Sequence, residues 1–335
     1  MKHENEQYAA INEIIKKLQK GLYPYPMIIE IQPSDICNQK CDYCFWNNTN
    51  YINKNRKPVM CLEEYDTLFK EMQNLGIRRL SISGGGEPFL DTRMPNLLEL
   101  ARRYELEVRI VTNGSILPDE AIHELMYCKE IRLSIDAIKP TTYSKIRNVP
   151  RNIFSQVLEN LNKLIELKSE RSSSLSIGVS FLLNEKNYLE VEDFCKYMLK
   201  LPIDAVVIKY NIYGLPNISK EKLNNIETSL KKLNDPRIEI RERLPLNKIR
   251  GMKCFIPYFK VAINPYGDLY SCCLGAQLGE RNGYFLGNLH NKSFKDIWES
   301  AKSLIQNLGK NGVSCTCCNY TDYRINKTMS KLMIQ

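Results

Sequence analysis

The sequence has no long apolar run, no internal repeat and no low-complexity tract. No apolar stretch reaches the length of about 18 residues that is needed to cross a bilayer. Residues 1–21 are polar and of mixed charge, so they do not resemble a secretory signal, and we expect a cytoplasmic protein with no membrane partner. With 43% hydrophobic and 25% charged residues, the composition of the 335-residue chain is typical of a globular protein of one or two domains.

Positive charge is in excess but is not gathered into a patch. The net charge of +9 by itself suggests an anionic partner such as a nucleic acid. However, Lys and Arg alternate with Asp and Glu along the chain, and no stripe of basic and aromatic residues is present. We therefore do not expect a nucleic-acid partner. A nucleic-acid-modifying enzyme is the alternative that the net charge would explain.

The twelve cysteines are unevenly distributed, and nine of them fall into two groups. Such clustering in a cytoplasmic protein indicates metal binding rather than a disulfide framework. The first group is Cys37, Cys41 and Cys44. The second group lies near the C-terminus and consists of Cys254, Cys272, Cys273, Cys315, Cys317 and Cys318. The three isolated cysteines are expected to be small core residues.

Six apolar segments rich in β-forming residues alternate with helical segments. The predicted strands are 27–32, 78–83, 107–112, 130–136, 175–183 and 204–210. The predicted helices are 7–20, 62–75, 92–104, 118–127, 151–169, 187–200 and, more weakly, 218–233. This alternation predicts parallel βαβ units. Because a closed barrel needs eight such units, we predict an α/β fold with a partial (β/α)6 barrel.

The chain divides into three predicted regions. A helical extension occupies 1–26, the barrel domain 27–249 and a small cysteine-rich domain 250–335. In the last region Gly, Pro, Asn and Cys become frequent, and 293–307 is its only long helical pattern. Functional groups in such folds lie at the carboxyl ends of the strands, and the first cysteine group follows the first predicted strand.

The first cysteine group places three thiols within eight residues, Cys37-x-x-x-Cys41-x-x-Cys44. A structural zinc site takes four ligands, and a [4Fe–4S] cluster normally takes four cysteines, so this loop leaves one position open. From these residues alone, three readings remain. They are a zinc site completed from elsewhere, a group of redox thiols, and a cluster with one free iron.

The spacing of these cysteines, with Tyr43 just before the third, resembles the radical S-adenosylmethionine (SAM) superfamily. The Gly-Gly-Gly-Glu sequence at 84–87, after the second predicted strand, resembles the glycine motif of the same family. The resemblance covers residues 27–215. It implies a [4Fe–4S] cluster on the three cysteines, with SAM bound to the free iron. An electron delivered by flavodoxin or ferredoxin would then cleave SAM, and the resulting 5′-deoxyadenosyl radical would abstract a substrate hydrogen.

The resemblance also implies a set of SAM-binding residues. The backbone at Gly85 and Gly86 would approach the methionine amino group, where a Cβ would obstruct access. Glu87 would bind that group or support the turn. Five further residues are implied to contact the adenine, the ribose, the carboxylate or another part of SAM: Tyr43 and Leu183 (adenine), Ser134 (ribose), Arg147 (carboxylate) and Asn113.

The second cysteine group contains enough thiols for a complete site. Cys254 and Cys272 flank a hairpin-like turn, and Cys315 and Cys318 form a later pair. Four thiols close a tetrahedral site for zinc as well as for iron. The arrangement resembles the SPASM and Twitch auxiliary-cluster domains, which implies an auxiliary [4Fe–4S] cluster on these four residues. Cys317 stays an alternative to Cys315 or Cys318.

The substrate is less constrained than the cofactors. About 26 residues precede the first predicted strand, too few for a separate peptide-recognition domain. We therefore predict a small polar substrate such as a sugar or aminocyclitol. Dehydrogenation would use the auxiliary cluster as electron acceptor, whereas epimerisation would use a spare thiol, Cys273 or Cys317, as hydrogen donor. A peptide-modifying enzyme and a zinc-stabilised binding module are the alternatives.

Overall fold

The computed structural model describes residues 2–48, 58–210, 218–241, 251–278, 284–312 and 318–333. The strands are β1 Ile28–Ile31, β2 Arg79–Ile82, β3 Glu107–Thr112, β4 Glu130–Ser134, β5 Ser176–Leu183, β6 Ala205–Tyr210, β7 Ile238–Ile240, β8 Lys260–Ile263, β9 Asp268–Tyr270 and β10 Phe285–Asn288. The helices are α1 Lys2–Gln19, α2 Phe45–Asn48, α3 Leu62–Asn74, α4 Met94–Arg103, α5 Asp119–Leu125, α6 Pro140–Arg147, α7 Asn152–Glu170, α8 Val191–Met198, α9 Lys220–Lys232, α10 Cys273–Leu278, α11 Phe294–Ser300, α12 Lys302–Asn311 and α13 Tyr320–Leu332.

All the strands belong to a single 10-stranded sheet in the order β10-β9-β8-β1-β2-β3-β4-β5-β6-β7. Neighbouring strands from β8 through β1 to β7 are parallel, while β9 is antiparallel to both β8 and β10. The six predicted strands are all present, and their helices alternate with them as expected. The α/β prediction with a partial barrel is therefore confirmed, and the parallel part of the sheet is longer than six strands.

The cysteine-rich C-terminal region joins the barrel sheet directly. β8 pairs in parallel with β1, with Ile28 opposite Lys260 and Ile31 opposite Ile263. The turn from β8 to β9 is built by Asn264, whose Oδ1 accepts hydrogen bonds from the amides of Tyr266 and Asp268, both at 3.0 Å. This region thus extends the barrel sheet beyond β1. The predicted domain boundaries stay predictions.

Several helices were not visible in the hydrophobic pattern. α6 begins with Pro140, a residue whose fixed φ suits the first helical turn, and ends at Asn148 in the left-handed region. α13 begins after Asn319, whose side chain accepts a hydrogen bond from the amide of Asp322. Its many polar residues conceal its apolar stripe. The predicted helix 293–307 is divided into α11 and α12.

The two faces of the sheet differ in chemistry. Phe181 of β5 packs against Phe194 of α8, with ring centroids 4.9 Å apart, so this face contacts the helices. Side chains alternate along a strand, so Ser180 points to the other, inner face. Ser134 is opposite Ser180 in register, and Lys209 is opposite Leu182. The helix-facing side is therefore apolar and the inner face is polar.

In the described part of the chain, no helix combines the length and hydropathy that a membrane span requires.

The union of β8 with β1 predicts a measurable contribution to stability. Ile263 is fully buried in the sheet, so the Ile263→Ala variant should lose about 2–5 kcal/mol of unfolding free energy through lost apolar burial and the cavity left behind. The urea midpoint followed by circular dichroism measures this loss. Leu189→Ala, at a side chain that is 78% exposed, is the control. Equal midpoints for the two variants would contradict the packing of β8 as a core strand.

Candidate functional site

The loop that carries the first cysteine group is held from two sides by backbone hydrogen bonds. On one side, the amide of Lys40 donates to the carbonyl of Arg147 at 3.0 Å, at the end of α6. On the other side, the amide of Gly86 donates to Ser34 at 2.7 Å, and that of Glu87 donates to Ile36 at 2.8 Å. The cysteine loop is therefore fixed between α6 and the glycine loop that follows β2.

The three thiols lie near one another in this loop. Cys41 is buried, Cys44 is half-buried and Cys37 is exposed. The surrounding protein desolvates Cys37 and raises its pKa to about 11, and the charges of Cys41 and Cys44 contribute to the rise. Among the described residues, no three ligating side chains converge on one metal position. Because thiolates are the ligands, binding of iron has to displace thiol protons here.

The glycine loop has no room for side chains at two positions. A Cβ on Gly86 would lie 2.0 Å from the carbonyl oxygen of Ile36. Gly85 has φ +48°, and a Cβ there would lie 2.7 Å from the carbonyl oxygen of Ser34. These contacts explain why the cysteine loop can lie against the glycine loop only when both residues are glycine.

A cleft opens beside the glycine loop, lined by Gln32, Asp35, Trp46, Gly85, Asn264, Pro265 and Tyr266. Gln32 is 1% exposed, and its Oε1 is a buried acceptor without a hydrogen-bond donor in the described part of the chain. The Tyr266 hydroxyl donates a hydrogen bond to Asp35. This hydrogen bond joins the turn after β8 to the loop after β1 and forms one wall of the cleft. A buried acceptor of this kind fits a ligand that carries an N–H group.

Glu87 supports the turn through both of its carboxylate oxygens. Oε1 accepts hydrogen bonds from the Thr112 hydroxyl at 2.6 Å and the Phe89 amide at 3.2 Å. Oε2 accepts one from the Asn113 amide at 2.7 Å. Burial raises the pKa of Glu87, while these hydrogen bonds act in the opposite direction. Of the two roles expected for Glu87, the structure shows the supporting one, and contact with SAM stays a prediction.

Asn113 links the end of β3 to the cysteine loop. Its Nδ2 donates to Asn38 at 2.9 Å and lies 4.0 Å from the Sγ of Cys37. Its Oδ1 accepts from the hydroxyl of Ser115 at 2.6 Å, and Asn38 Nδ2 donates to the same hydroxyl at 2.9 Å. Asn113 therefore positions the residue next to Cys37, and its contact with SAM stays a prediction.

Arg147 forms a buried ion pair with Asp136, with Nη2 and Oδ2 at 2.6 Å and exposed fractions of 4% and 2%. The same guanidinium donates to the carbonyl of Ser134 at 2.6 Å and lies 3.6 Å from the Sγ of Cys41. The Tyr43 hydroxyl also donates to Asp136. Arg147 thus connects β4 to the cysteine loop. Its Nε has no acceptor within the described ranges, and pairing with the methionine carboxylate stays a prediction.

Two residues expected near the SAM adenosine lie on opposite faces of the sheet. Ser134 is on the inner face, with its hydroxyl 3.4 Å from that of Ser180. Leu183 is fully buried. It lies two residues after Phe181 and therefore shares with it the face that packs against the helices. The structure therefore does not bring the Leu183 side chain to the inner face, and its contact with adenine stays a prediction.

Sequence reasoning assigns no role to three polar residues at this site, Gln32, Gln39 and Asp136, although it places Asp136 at the end of the fourth predicted strand. Gln39 accepts a hydrogen bond from Arg147 at 3.2 Å and donates to the Tyr143 hydroxyl at 3.0 Å. Asp136 has φ +62°, an uncommon conformation for Asp. An Asp directly after a strand is the one signal that sequence offers for it, and nothing in the sequence distinguishes the two glutamines.

The second cysteine group lies near the beginning of β8. Burial raises the pKa of Cys272 well above its usual value, and the charges of Cys273 and Cys254 add to the rise. The Sγ of Cys273 lies 3.8 Å from Lys260 Nζ. The Sγ of Cys254 lies 3.7 Å from Asn326 Nδ2. The structure thus brings these three cysteines into one region.

The remaining cysteines of the second group are only partly visible. Cys318 is buried in the same C-terminal region. Cys315 and Cys317 lie outside the described residues. The ligand set Cys254, Cys272, Cys315 and Cys318 therefore stays a prediction, as does the choice between Cys317 and its neighbours.

The residues of the first site fit a three-cysteine cluster with bound SAM. The loop offers three thiols and leaves one coordination position for another ligand. The glycine loop exposes backbone where a Cβ would clash, and none of the described residues donates to the buried Gln32 Oε1. An amino group is a donor of the required kind.

A parallel α/β barrel with three cysteines in the loop after its first strand defines an iron–sulfur enzyme. Comparison with known families identifies the family of iron–sulfur enzymes to which the chain belongs. The profile of the radical SAM superfamily matches residues 31–198, and that of the SPASM iron–sulfur cluster-binding domain matches residues 254–323. The chain belongs to the radical SAM superfamily and carries a C-terminal SPASM domain. Its cofactors are therefore a [4Fe–4S] cluster, SAM and auxiliary iron–sulfur centres.

The chain is similar to proteins with different activities. It is 24% identical over 85% of both chains to a tungsten-containing aldehyde ferredoxin oxidoreductase cofactor-modifying protein of Pyrococcus furiosus. It is 30% identical to a GTP 3′,8-cyclase of Alkaliphilus oremlandii over 54% of this chain and 55% of that protein. Streptococcus suis SuiB bound to precursor peptide SuiA has the same fold, with TM-score 0.67, 16% identity, and coverage of 89% of this chain and 70% of that chain.

The contact of Gly86 with the cysteine loop predicts the effect of a single methyl group. In Gly86→Ala, the Cβ would lie 2.0 Å from the Ile36 carbonyl oxygen, so the loop must move and the variant should lose about four irons per chain, the content of one [4Fe–4S] cluster. Iron and sulfide analysis after anaerobic reconstitution measures this. Gly178→Ala is the control, because a Cβ there has its nearest neighbour at 3.5 Å. Full iron in Gly86→Ala would refute the proposed fit of the two loops.

The buried Asp136–Arg147 pair predicts a large loss of stability when one partner loses its charge. Asp136→Asn leaves the guanidinium without a carboxylate, and the free energy of unfolding should fall by about 3–5 kcal/mol. Urea denaturation measures the change. Asp119→Asn removes an exposed pair with Lys163 and should cost about 1 kcal/mol or less. Similar losses in both variants would show that the buried pair does not connect β4 to the loop.

Proposed function

We propose that the enzyme is an oxidoreductase that dehydrogenates a small polar substrate, such as a sugar or aminocyclitol, on the inner face of the sheet. The first cluster with bound SAM supplies one-electron chemistry that removes a hydrogen atom from a substrate carbon. A small electron-transfer protein, flavodoxin or ferredoxin, delivers the electron. The observation that supports this proposal most strongly is the position of the two cysteine groups along β1 and β8.

The two groups lie at opposite ends of neighbouring parallel strands. Cys37 follows the carboxyl end of β1, whereas Cys273 contacts Lys260 at the beginning of β8. Because Lys260 is opposite Ile28 in register, about four residues of strand separate the two ends, or about 13 Å. A substrate between the centres would therefore lose a hydrogen atom at one end and an electron at the other, and its hydroxyl proton would pass to solvent, so that two hydrogen atoms are removed in all.

The inner face between the two groups carries buried polar side chains. Lys260 Nζ lies 3.7 Å from Glu30 and 3.6 Å from Asp322, in a buried group of charges. Glu30 and Gln32 follow each other on the inner face of β1, with exposed fractions of 7% and 1%. Polar groups held in this way suit the hydroxyl groups of a small substrate better than an apolar one.

Epimerisation stays the competing outcome of the same radical chemistry. It needs a thiol that donates a hydrogen atom, and burial raises the pKa of Cys273 to about 12, so this thiol keeps its proton at neutral pH. However, Cys273 is the first residue of α10, and its Sγ lies beside Lys260 at the beginning of β8, away from the cysteine loop after β1. This position favours Cys273 as a neighbour of the auxiliary centre over the role of hydrogen donor.

Modification of a peptide is the second candidate function. It is supported by the solved complex of SuiB with its precursor peptide, which shares the fold over most of this chain. The two candidates differ in substrate size, and the mass of the product distinguishes them.

Variants of the two cysteine groups test the proposal. The reconstituted enzyme should hold about eight irons, and should cleave SAM in the presence of dithionite. Cys37/Cys41/Cys44→Ala should keep about four irons and lose SAM cleavage, because the SAM-binding cluster is gone. Cys254/Cys272→Ser should keep SAM cleavage but no longer form dehydrogenated product. Iron analysis and mass spectrometry of 5′-deoxyadenosine and product measure these outcomes.

The control is Cys61→Ser, at an exposed cysteine that precedes α3, and it should behave as the unmodified enzyme. A panel of sugars and aminocyclitols is assayed beside a panel of peptides. A product lighter by two hydrogen atoms indicates dehydrogenation, and one of unchanged mass but altered configuration indicates epimerisation. Turnover of peptides alone would contradict the proposed substrate class.

A further inference from the structure

Within the described residues, one cation on the inner face of the sheet lacks a carboxylate partner. The other cations of this face are paired: Arg79 with Glu107 at 3.8 Å, Arg109 with Glu130 at 3.5 Å, Arg132 with Glu130, Arg241 with Glu239 at 2.9 Å, and Lys260 with Glu30 and Asp322. Lys209 of β6 has no carboxylate within ion-pair distance in the part of the chain that the structure describes. Its Nζ instead donates to the Ser180 hydroxyl at 3.3 Å.

A second donor without an acceptor in the described part of the chain lies on the same face and interacts electrostatically with Lys209. The Nε of Arg132 is buried and has no acceptor among the described residues, although its Nη2 pairs with Glu130. Arg132 is opposite Gly178 in register, and Gly178 is opposite Ala205. A Cβ on Gly178 would lie 3.8 Å from Cγ of Arg132, so this side chain runs beside a position that carries no side chain of its own. A buried N–H donor that has no protein acceptor points to an acceptor ligand.

The charges around Lys209 favour an anion over a neutral ligand. Burial and the positive charges of Arg132 and Arg241 together lower the pKa of Lys209 to about 7, while Asp136 and Glu239 act in the opposite direction. An anion placed here relieves this repulsion and satisfies the free donors. Lys209 is half-exposed at the inner face, so a ligand can reach it.

We propose that Lys209, Arg132 and Ser180 form a subsite for an anionic group of the substrate, a carboxylate or a phosphate. The proposal rests on the proposed function and narrows it, because the substrate becomes a sugar or related small molecule that carries an acid group. Ser134, at 3.4 Å from Ser180, connects this subsite to the end of β4, where the Ser134 carbonyl accepts a hydrogen bond from Arg147, which also contacts Cys41 of the cysteine loop. The anion would thus hold the substrate beside the SAM-binding loop.

Anion binding to the reconstituted enzyme tests this subsite. The probes are inorganic pyrophosphate and succinate, measured by equilibrium dialysis of the labelled anions. At least one should bind, and Lys209→Met should raise its dissociation constant about tenfold or more, because a charge-assisted contact is lost. Lys209→Arg, which keeps the charge, should stay within about threefold of the unmodified enzyme. Tighter pyrophosphate indicates a phosphate group, and tighter succinate indicates a carboxylate.

The affinity should also depend on pH in a defined direction. Only the protonated amine of Lys209 pairs with an anion, so binding should weaken as the pH rises through about 7. In Lys209→Arg this weakening should disappear, because a guanidinium keeps its proton. Lys163→Met, which removes an exposed lysine of α7, is the matched control and should leave both affinity and pH dependence unchanged.

Three results would overturn the proposal. One is equal affinity of the unmodified enzyme and Lys209→Met for both anions, with iron content and thermal midpoint preserved in the variant. Another is loss of SAM affinity in parallel with anion affinity, which would assign Lys209 to the cofactor. The last is an anion affinity that still weakens in Lys209→Arg as the pH rises through about 7. If the unmodified enzyme did not cleave SAM at all, the proposed function would be refuted instead. Failure of the anion subsite and failure of the proposed function are therefore distinguishable.

Discussion

The buried ion pair between Asp136 and Arg147 connects the sheet to the loop that carries the first cysteine group. Arg147 reaches Ser134 and Cys41 with its guanidinium, while its backbone carbonyl accepts from Lys40. Asp136 accepts hydrogen bonds from Tyr43 and from the amide of Leu182, the latter at 2.6 Å. A charge buried without its partner is costly. The positions of β4, β5, α6 and the cysteine loop are therefore coupled through this one pair.

The glycine loop constrains the cysteine loop from the opposite side. Glu87 uses both carboxylate oxygens to hold the ends of β2 and β3 together, and Gly86 lets the backbone of Ile36 approach closely. The cysteine loop is thus enclosed by backbone contacts that do not involve the thiols themselves. This arrangement leaves the thiols available as ligands. Gln32 Oε1, an acceptor without a donor among the described residues, lies beside Gly85 of the glycine loop.

The sheet relates the two cysteine groups through strand pairing. Because β8 pairs with β1 in parallel, the C-terminal region begins at the amino end of the strand whose carboxyl end leads to the first cysteine group. The inner face between them carries charged and hydroxyl-bearing side chains, nearly all of which are paired. Among the described residues, the exceptions are Lys209 and the Nε of Arg132, which lie on the same face. An unpaired cation in a largely neutralised interior is a strong recognition feature for an anion.

The sequence by itself determined the element order, the class of fold and the two cysteine groups. Periodicity identifies strands such as β3 and β5 because each buries apolar residues in a short-range pattern, and the Cys37–Cys44 spacing is local by nature. The same local information missed α13 and β7, whose polar residues dilute any pattern.

Only the tertiary structure decided how these parts meet. The register of β8 against β1, the pairing of Arg147 with Asp136 and the unused donors of Lys209 and Arg132 all join residues that are distant in the chain or lie on different strands. Leu183 is another example of what local sequence cannot decide. The face on which its side chain lies depends on strand alternation and on which face of the sheet the helices cover. Long-range pairing and burial follow from packing of the whole chain, and no local spacing encodes them.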